Sequence, residues 1–133
     1  MSRCAPLRLA VAGLAAATLA ALPTVALAGS GGDDDGERER EVRCSAGSRA
    51  ELKAERDDGR LEVEFEVDQG RSGVTWTVRI RNNGSRVVAT RATTRGRSGS
   101  FSVERRIADR GTNRIVARAK SPSGEVCRVR LTI

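Results

Sequence analysis

The side chains able to do chemistry in this chain are few in kind. There is no histidine and no tyrosine, and the only thiols are Cys4, Cys44 and Cys127. General acid–base work would therefore fall to lysine and carboxylates. Nucleophilic work would fall to serine, without an imidazole to activate it. Glu62, Glu64 and Glu66 recur at every second residue. That spacing puts them on one exposed strand face as solvated carboxylates, not in the unequal environments that split the pKa values of a catalytic dyad. No phosphate-cradling Gly-x-x-x-x-Gly-Lys or dinucleotide motif occurs. Asp33-Asp34-Asp35 lacks the spaced ligands and closing glutamate of a calcium loop. One cysteine at each end of the domain, with no histidine, makes no metal-ligand cluster. The residues predict a protein that is not an enzyme, with no catalytic residues, no metal and no cofactor.

Charge is the more informative chemistry. The formal net charge is +7, and twenty-two of the twenty-four cationic side chains are arginine. Without Arg3 and Arg8, residues 29–43 carry −3, residues 44–68 carry −4 and residues 69–133 carry +12. Arginine presents a planar fork that matches carboxylate and phosphate. Cations recur at alternate positions late in the chain: Arg79 and Arg81, then Arg114, Arg118 and Lys120, then Arg128 and Arg130. The alternative to an anion-binding role is an arginine-rich composition in which charged residues simply solvate a β surface.

The elements that must position these residues follow from strict alternation, the period of a half-buried strand. Leu61, Val63, Phe65 and Val67 make one inward face, and Val74, Trp76, Val78 and Ile80 another. Ser48 to Arg56 alternates as well, with Ala50, Leu52 and Ala54 inward. Asp58-Gly59 follows, a primed-turn signal that pairs Leu52 with Phe65 and Ala54 with Val63, inward to inward. A second turn at Asn83-Gly84 pairs Ile80 with Val87 and Val78 with Ala89; it also explains the Asn-Gly-Ser sequon without a glycan. Each half of Leu61–Arg81 thus has its partner elsewhere, so the stretch should cross between two sheets, with Phe65 and Trp76 meeting in the core.

Further strands are marked by Phe101, Val103 and Ile107; by Ile115, Ala117 and Ala119; and by Cys127, Val129, Leu131 and Ile133. Parity lets Ala119 pair with Cys127 only across an odd connection, Ser121 to Glu125, so a bulge is expected there. A first short strand should hold Val42 to Ser45. The core is expected from Leu52, Leu61, Val63, Phe65, Val67, Trp76, Val78, Ile80, Phe101, Val103, Ile115, Val129 and Leu131. With no helical pattern after the N-terminal segment, the fold class is all-β, an antiparallel sandwich of about seven strands over residues 42–133.

Arg3 and Arg8, the apolar run Leu9–Leu22, Pro23 and Ala26-Leu27-Ala28 read as a secretory signal peptide over residues 1–28, cleaved after Ala28. The run is short of the ~20 apolar residues of a spanning helix, so no membrane span is expected after cleavage. Cys4 precedes the run, which argues against a lipid-anchored cysteine. Residues 29–41, rich in Gly and Asp, should form a disordered acidic leader. In an exported protein the remaining pair, Cys44 and Cys127, reads as a disulfide, with free buried thiols as the alternative.

Trp76 stands on the third main strand, where immunoglobulin domains place a core tryptophan. Asp109-Arg110-Gly111-Thr112-Asn113-Arg114-Ile115-Val116-Ala117 is similar to the Asp-x-Gly-x-Tyr-x-Cys-x-Ala corner before the sixth strand, with Asn113 at the tyrosine position and Ile115 at the cysteine position. On these residues the chain resembles the immunoglobulin-like superfamily, including fibronectin type III relatives, over about residues 42–133. As a whole it also resembles small secreted actinobacterial proteins of unassigned function. The resemblance implies that the third, sixth and seventh main strands share a sheet, which would gather Arg79, Arg81, Arg114, Arg118, Lys120, Arg128 and Arg130 into one candidate anion-binding face. It implies a binding or structural role by analogy only. The usual inter-sheet disulfide is missing, and a Cys44–Cys127 bridge would tie the first strand to the last.

The expectation is a secreted or cell-surface binding or structural module. Its basic sheet would dock an extracellular anionic partner: a cell-wall polymer, an anionic lipid surface or an acidic protein. Nucleic acid fits poorly, because the face lacks exposed aromatics for stacking and export removes the usual targets. Alternatives are a self-assembling surface protein with weak association between acidic and basic faces, or an inhibitor of a secreted enzyme.

Overall fold

In a computed structural model, which describes residues 36–133, the alternating segments become antiparallel strands. They are β1 (Glu37–Arg43), β2 (Arg49–Asp57), β3 (Arg60–Asp68), β4 (Thr75–Asn82), β5 (Ser85–Thr93), β6 (Ser100–Ala108), β7 (Arg114–Lys120) and β8 (Val126–Thr132). They form two four-stranded sheets, β1-β2-β3-β6 and β5-β4-β7-β8, packed as a sandwich. No helix occurs among the described residues. The expected signal peptide, its cleavage site and leader residues 29–35 lie outside the described residues.

Turn chemistry sets the registers. Asp58 and Gly59 both take positive φ, 48° and 72°, and β2 and β3 pair Leu52 with Phe65 and Ala54 with Val63 as predicted. Both residues of a primed turn require that backbone, which an Asp-Gly pair supplies at low cost. Asn83 and Gly84 repeat the arrangement at 49° and 83°. Here the register holds for only two pairs, Asn82–Ser85 and Arg81–Arg86, before a bulge. Val87 is the extra residue, so Ile80 faces Val88 and Arg79 faces Ala89. The expected pairs Ile80–Val87 and Val78–Ala89 are therefore corrected. Val88 is buried, whereas Val87 is half-buried and Ala89 exposed. With two valines side by side, either could take the inward position, and the bulge selects the second.

Across β7 and β8, Ala119 pairs with Cys127 as parity requires. Ser121 and Glu125 close the connection by a 3.0 Å backbone hydrogen bond, and the amide of Gly124, at φ 94°, donates to Ser121 O at 3.1 Å. Pro122 follows Ser121, where its fixed φ favours a turn, and Gly124 absorbs the odd residue as a bulge.

The strand β1 was not expected over its whole length. The acidic leader should run to residue 41, yet Glu37 to Val42 pair continuously with Glu55 to Ala50 of β2. Val42 is the only apolar residue in β1. Ladder hydrogen bonds, each contributing about 1 kcal/mol net, hold this strand instead of burial.

The core lies between the sheets. Leu52, Leu61, Val63, Phe65, Val67, Trp76, Val78, Ile80, Ile115 and Val129 are fully buried and Phe101 nearly so; Val103 and Leu131 pack against them half-buried. Trp76 packs against Phe101, at 6.2 Å between ring centroids, and shares the buried core cluster with Phe65. β6 joins the sheet of β3 and so brings Phe101 into that core. Trp76 Nε1 donates to Gln69 Oε1 at 3.2 Å, so the buried indole keeps a polar partner.

Cys44 and Cys127 form a disulfide joining the end of β1 to β8. Beside it Glu125 is buried, and its carboxylate accepts from the amides of Ala46 (3.1 Å) and Ser48 (2.9 Å) and from Ser48 Oγ (2.9 Å).

Candidate anion-binding face

Because β4 crosses to the second sheet, its outward residues join those of β7 and β8 on one surface. Arg79, Arg81, Arg114, Arg118, Lys120, Arg128 and Arg130, the cations expected to form an anion-binding face, are all exposed there. The structure adds two more from β5, Arg86 and Arg91, which face Arg81 and Thr77. They were legible: the Asn83-Gly84 turn obliges β5 to lie beside β4, and hence in the same sheet.

The registers arrange these cations in rows. One row runs Arg79–Arg118–Arg128, and the next runs Arg86–Arg81–Val116–Arg130. Neighbouring strands stand about 4.8 Å apart and alternate residues about 6.7 Å apart along a strand. Like charges directly opposite destabilise a strand pair. No glutamate or aspartate interrupts the outward positions of this sheet. Among the described residues, none of its nine cations makes an ion pair or a side-chain hydrogen bond.

Two shallow hollows border the rows, each of about 320 Å³. Thr75, Thr77, Arg91 and Lys120 line one, where hydroxyls and cations could share an oxyanion. Arg40, Val42, Arg128 and Arg130 line the other, at the seam where β1 lies over β8. Arg40 escaped sequence reasoning because it fell in the expected leader.

The opposite surface has the other sign. Outward residues of the first sheet form the rows Arg43–Arg49–Asp68, Glu41–Glu51–Glu66, Glu39–Lys53–Glu64–Glu104 and Glu37–Glu55–Glu62–Arg106, with carboxylates in the majority. The carboxyl of Glu51 is pushed up by partial desolvation, then by the carboxylates of Glu39, Glu66, Glu41 and Glu64. Glu37 takes a hydrogen bond from Lys53, and this holds the ammonium pKa above its usual value. The ion pairs Arg49–Asp68, Lys53–Glu37, Arg56–Asp109 and Arg106–Asp57 all involve β2, in the first sheet. Among the described residues, ion pairing thus lies on this side only.

At the corner before β7, Asn113 is fully buried. Its Oδ1 accepts from the amide of Arg110 at 3.1 Å and from Asn82 Nδ2 at 2.9 Å, while its Nδ2 donates to Asp109 Oδ1 at 2.7 Å. Asp109 also accepts from the amide of Gly111 and from Arg56 Nε, and these bonds, led by Asn113, hold its carboxyl below the usual range.

Among the described residues no group of three or more His, Cys, Asp or Glu is placed to hold a metal ion. No helix among them is long and apolar enough to cross a membrane. Comparison with protein-family models, with curated proteins and with solved structures finds no match to this chain.

Proposed function

We propose that this is an exported, non-enzymatic immunoglobulin-like binding module whose basic sheet docks an anionic polymer outside the cell. The observation that carries the reading is the array of nine cations in cross-strand rows with no carboxylate among them. A merely solvated surface would intersperse the signs, as the other sheet does through Lys53 and Arg106. Rows of like charge cost stability, and an anionic partner removes that cost. The face has no exposed aromatic, so recognition is by charge and not by stacking.

Export is supported by the signal-like N-terminal sequence and by the Cys44–Cys127 disulfide. The immunoglobulin-like relationship is supported by β4, β7 and β8 sharing a sheet, by the buried Trp76 on β4, and by Asn113 in the corner.

The test is retention on immobilised polyphosphate and polyglutamate as a function of salt. Retention should fall steeply with ionic strength. In the triple variant Arg79→Ser, Arg118→Ser, Arg128→Ser, the log–log salt slope should shrink by about 2–3, one contact per removed cation. Retention unchanged by the three substitutions would refute the reading. Preference for one resin then tells a phosphate-bearing from a carboxylate-bearing polymer.

A further inference from the structure

The acidic and basic faces are the two outer surfaces of one sandwich, so they point in opposite directions. Each is the outside of a four-stranded antiparallel sheet. Their charge lattices therefore share the same spacings, about 4.8 Å between strands and about 6.7 Å between alternate residues. Rows such as Glu41–Glu51–Glu66 and Arg79–Arg118–Arg128 repeat on one pitch. We infer that the acidic face of one copy seats the basic face of a second copy, giving an open head-to-tail stack.

Three observations support a second copy as the occupant. First, the charges are complementary in sign. Among the described residues the basic rows have no acidic partner, and the acidic face keeps a net negative charge that Lys53 and Arg106 relieve only in part, with Glu51 crowded by four other glutamates. Second, association through strand edges is blocked in the first sheet. Its edge strands β1 and β6 place Arg38, Arg40 and Arg105 opposite Ala54, Leu52 and Val63, at inward positions. Inward charges at an edge prevent another strand from adding there. Third, opposed faces on one molecule make a heterologous contact that does not close, so it propagates.

The stack uses the same basic face as the proposed polymer docking, and the two compete. An anionic polymer should break the stack into single copies.

The experiment is sedimentation velocity on the purified protein at low and high salt. Near 0.01 M salt charges act over about 30 Å, and at 1 M over about 3 Å. The weight-average mass should rise with concentration at low salt and fall to the monomer at high salt. Two variants resolve the polarity. The first carries Glu62→Gln, Glu64→Gln and Glu66→Gln, and the second carries Arg79→Ser, Arg118→Ser and Arg128→Ser. Each alone should be monomeric at low salt. Mixed together they have one complementary contact between them, so they should form a dimer and stop there.

A wild-type protein that is monomeric at every concentration in low salt would overturn the inference. So would single-face variants that associate like wild type, or a mixture that stays monomeric. The glutamine variant keeps its basic face, and its retention on polyphosphate should equal that of wild type. That readout separates failure of the stack from failure of polymer docking.

Discussion

Arg118 stands directly opposite Arg128 in the β7–β8 pair, with Arg79 directly opposite it on the β4 side. Three guanidinium groups thus lie abreast on exposed strands, and among the described residues no carboxylate pairs with them. Replacing the middle one relieves both contacts. Arg118→Gln should raise stability by roughly 0.5 kcal/mol, read as a higher denaturant midpoint at low salt. The same variant should elute from polyphosphate at lower salt. A variant that is no more stable than wild type would mean that the row stores no repulsion.

Acid should attack the corner before β7. Asp109 has its carboxyl held below the ordinary 3.8 by Asn113, Gly111 and Arg56. A depressed acid stabilises the fold above its unfolded pKa, and that contribution is lost as pH falls through the folded value. Asp109→Asn should therefore lower the melting temperature at pH 7 and make no difference well below pH 3. Equal losses at both pH values would show that packing, not the carboxylate, matters there.

Glu51 has the opposite sign. Its carboxyl is raised above the ordinary 4.5, so its ionised form costs stability in the folded protein. The favourable contribution is present below the unfolded pKa and disappears as pH rises through the folded one. Glu51→Gln should stabilise the protein at pH 7 and leave it unchanged at pH 3. Thermal melts at the two pH values settle the matter, and a loss of stability at pH 7 would refute it.

Glu125 holds the β1–β2 connection to the β7–β8 connection. Its carboxylate is buried and receives hydrogen bonds from Ala46, Ser48 N and Ser48 Oγ. Glu125→Ala leaves three donors without their acceptor, two of them buried on Ser48, and should cost about 2–3 kcal/mol by urea denaturation. Glu125→Gln keeps the oxygen acceptor toward the amides and should cost less. Equal costs for the two would show that the acceptor is not what holds the connections together.

Gly99 joins the β5–β6 connection to the β3–β4 connection. It sits at φ +64°, and a Cβ there would come within 2.2 Å of the Arg71 backbone nitrogen. Gly99 O also accepts from the amide of Gln69 at 3.1 Å. Gly99→Ala should cost about 2 kcal/mol or more, since both the backbone region and the space oppose it. Gly96→Ala, also at positive φ but with open space around it, should cost less.

The parts of this fold legible from sequence are those where alternation and a primed turn agree. Leu52, Phe65 and the Asp58-Gly59 turn leave one register only, and Lys120 to Val126 obeys parity. Sequence reasoning fails where local pattern and tertiary contact part. The strand β1 offers alternating Glu and Arg with nothing to bury, so only its pairing partner identifies it. Val87 and Val88 are equally apolar, and the bulge between them carries no composition signal. Glu125 and Asn113 look like ordinary loop polar residues until the chain folds over them. Alternation shows which cations of β4, β7 and β8 point outward, and only the resemblance to a known sandwich topology puts them on one face; Arg40 is not readable, because its strand is not.

The disulfide also determines how the domain bears a load. It joins Cys44, just past β1, to Cys127, near the start of β8, at a sequence separation of 83. A pulling force entering at β1 and leaving at β8 passes through that covalent bond and bypasses strands β2 to β7. Under tension the enclosed sandwich cannot be drawn out; within the described domain only β1 before Cys44 and β8 after Cys127 can peel.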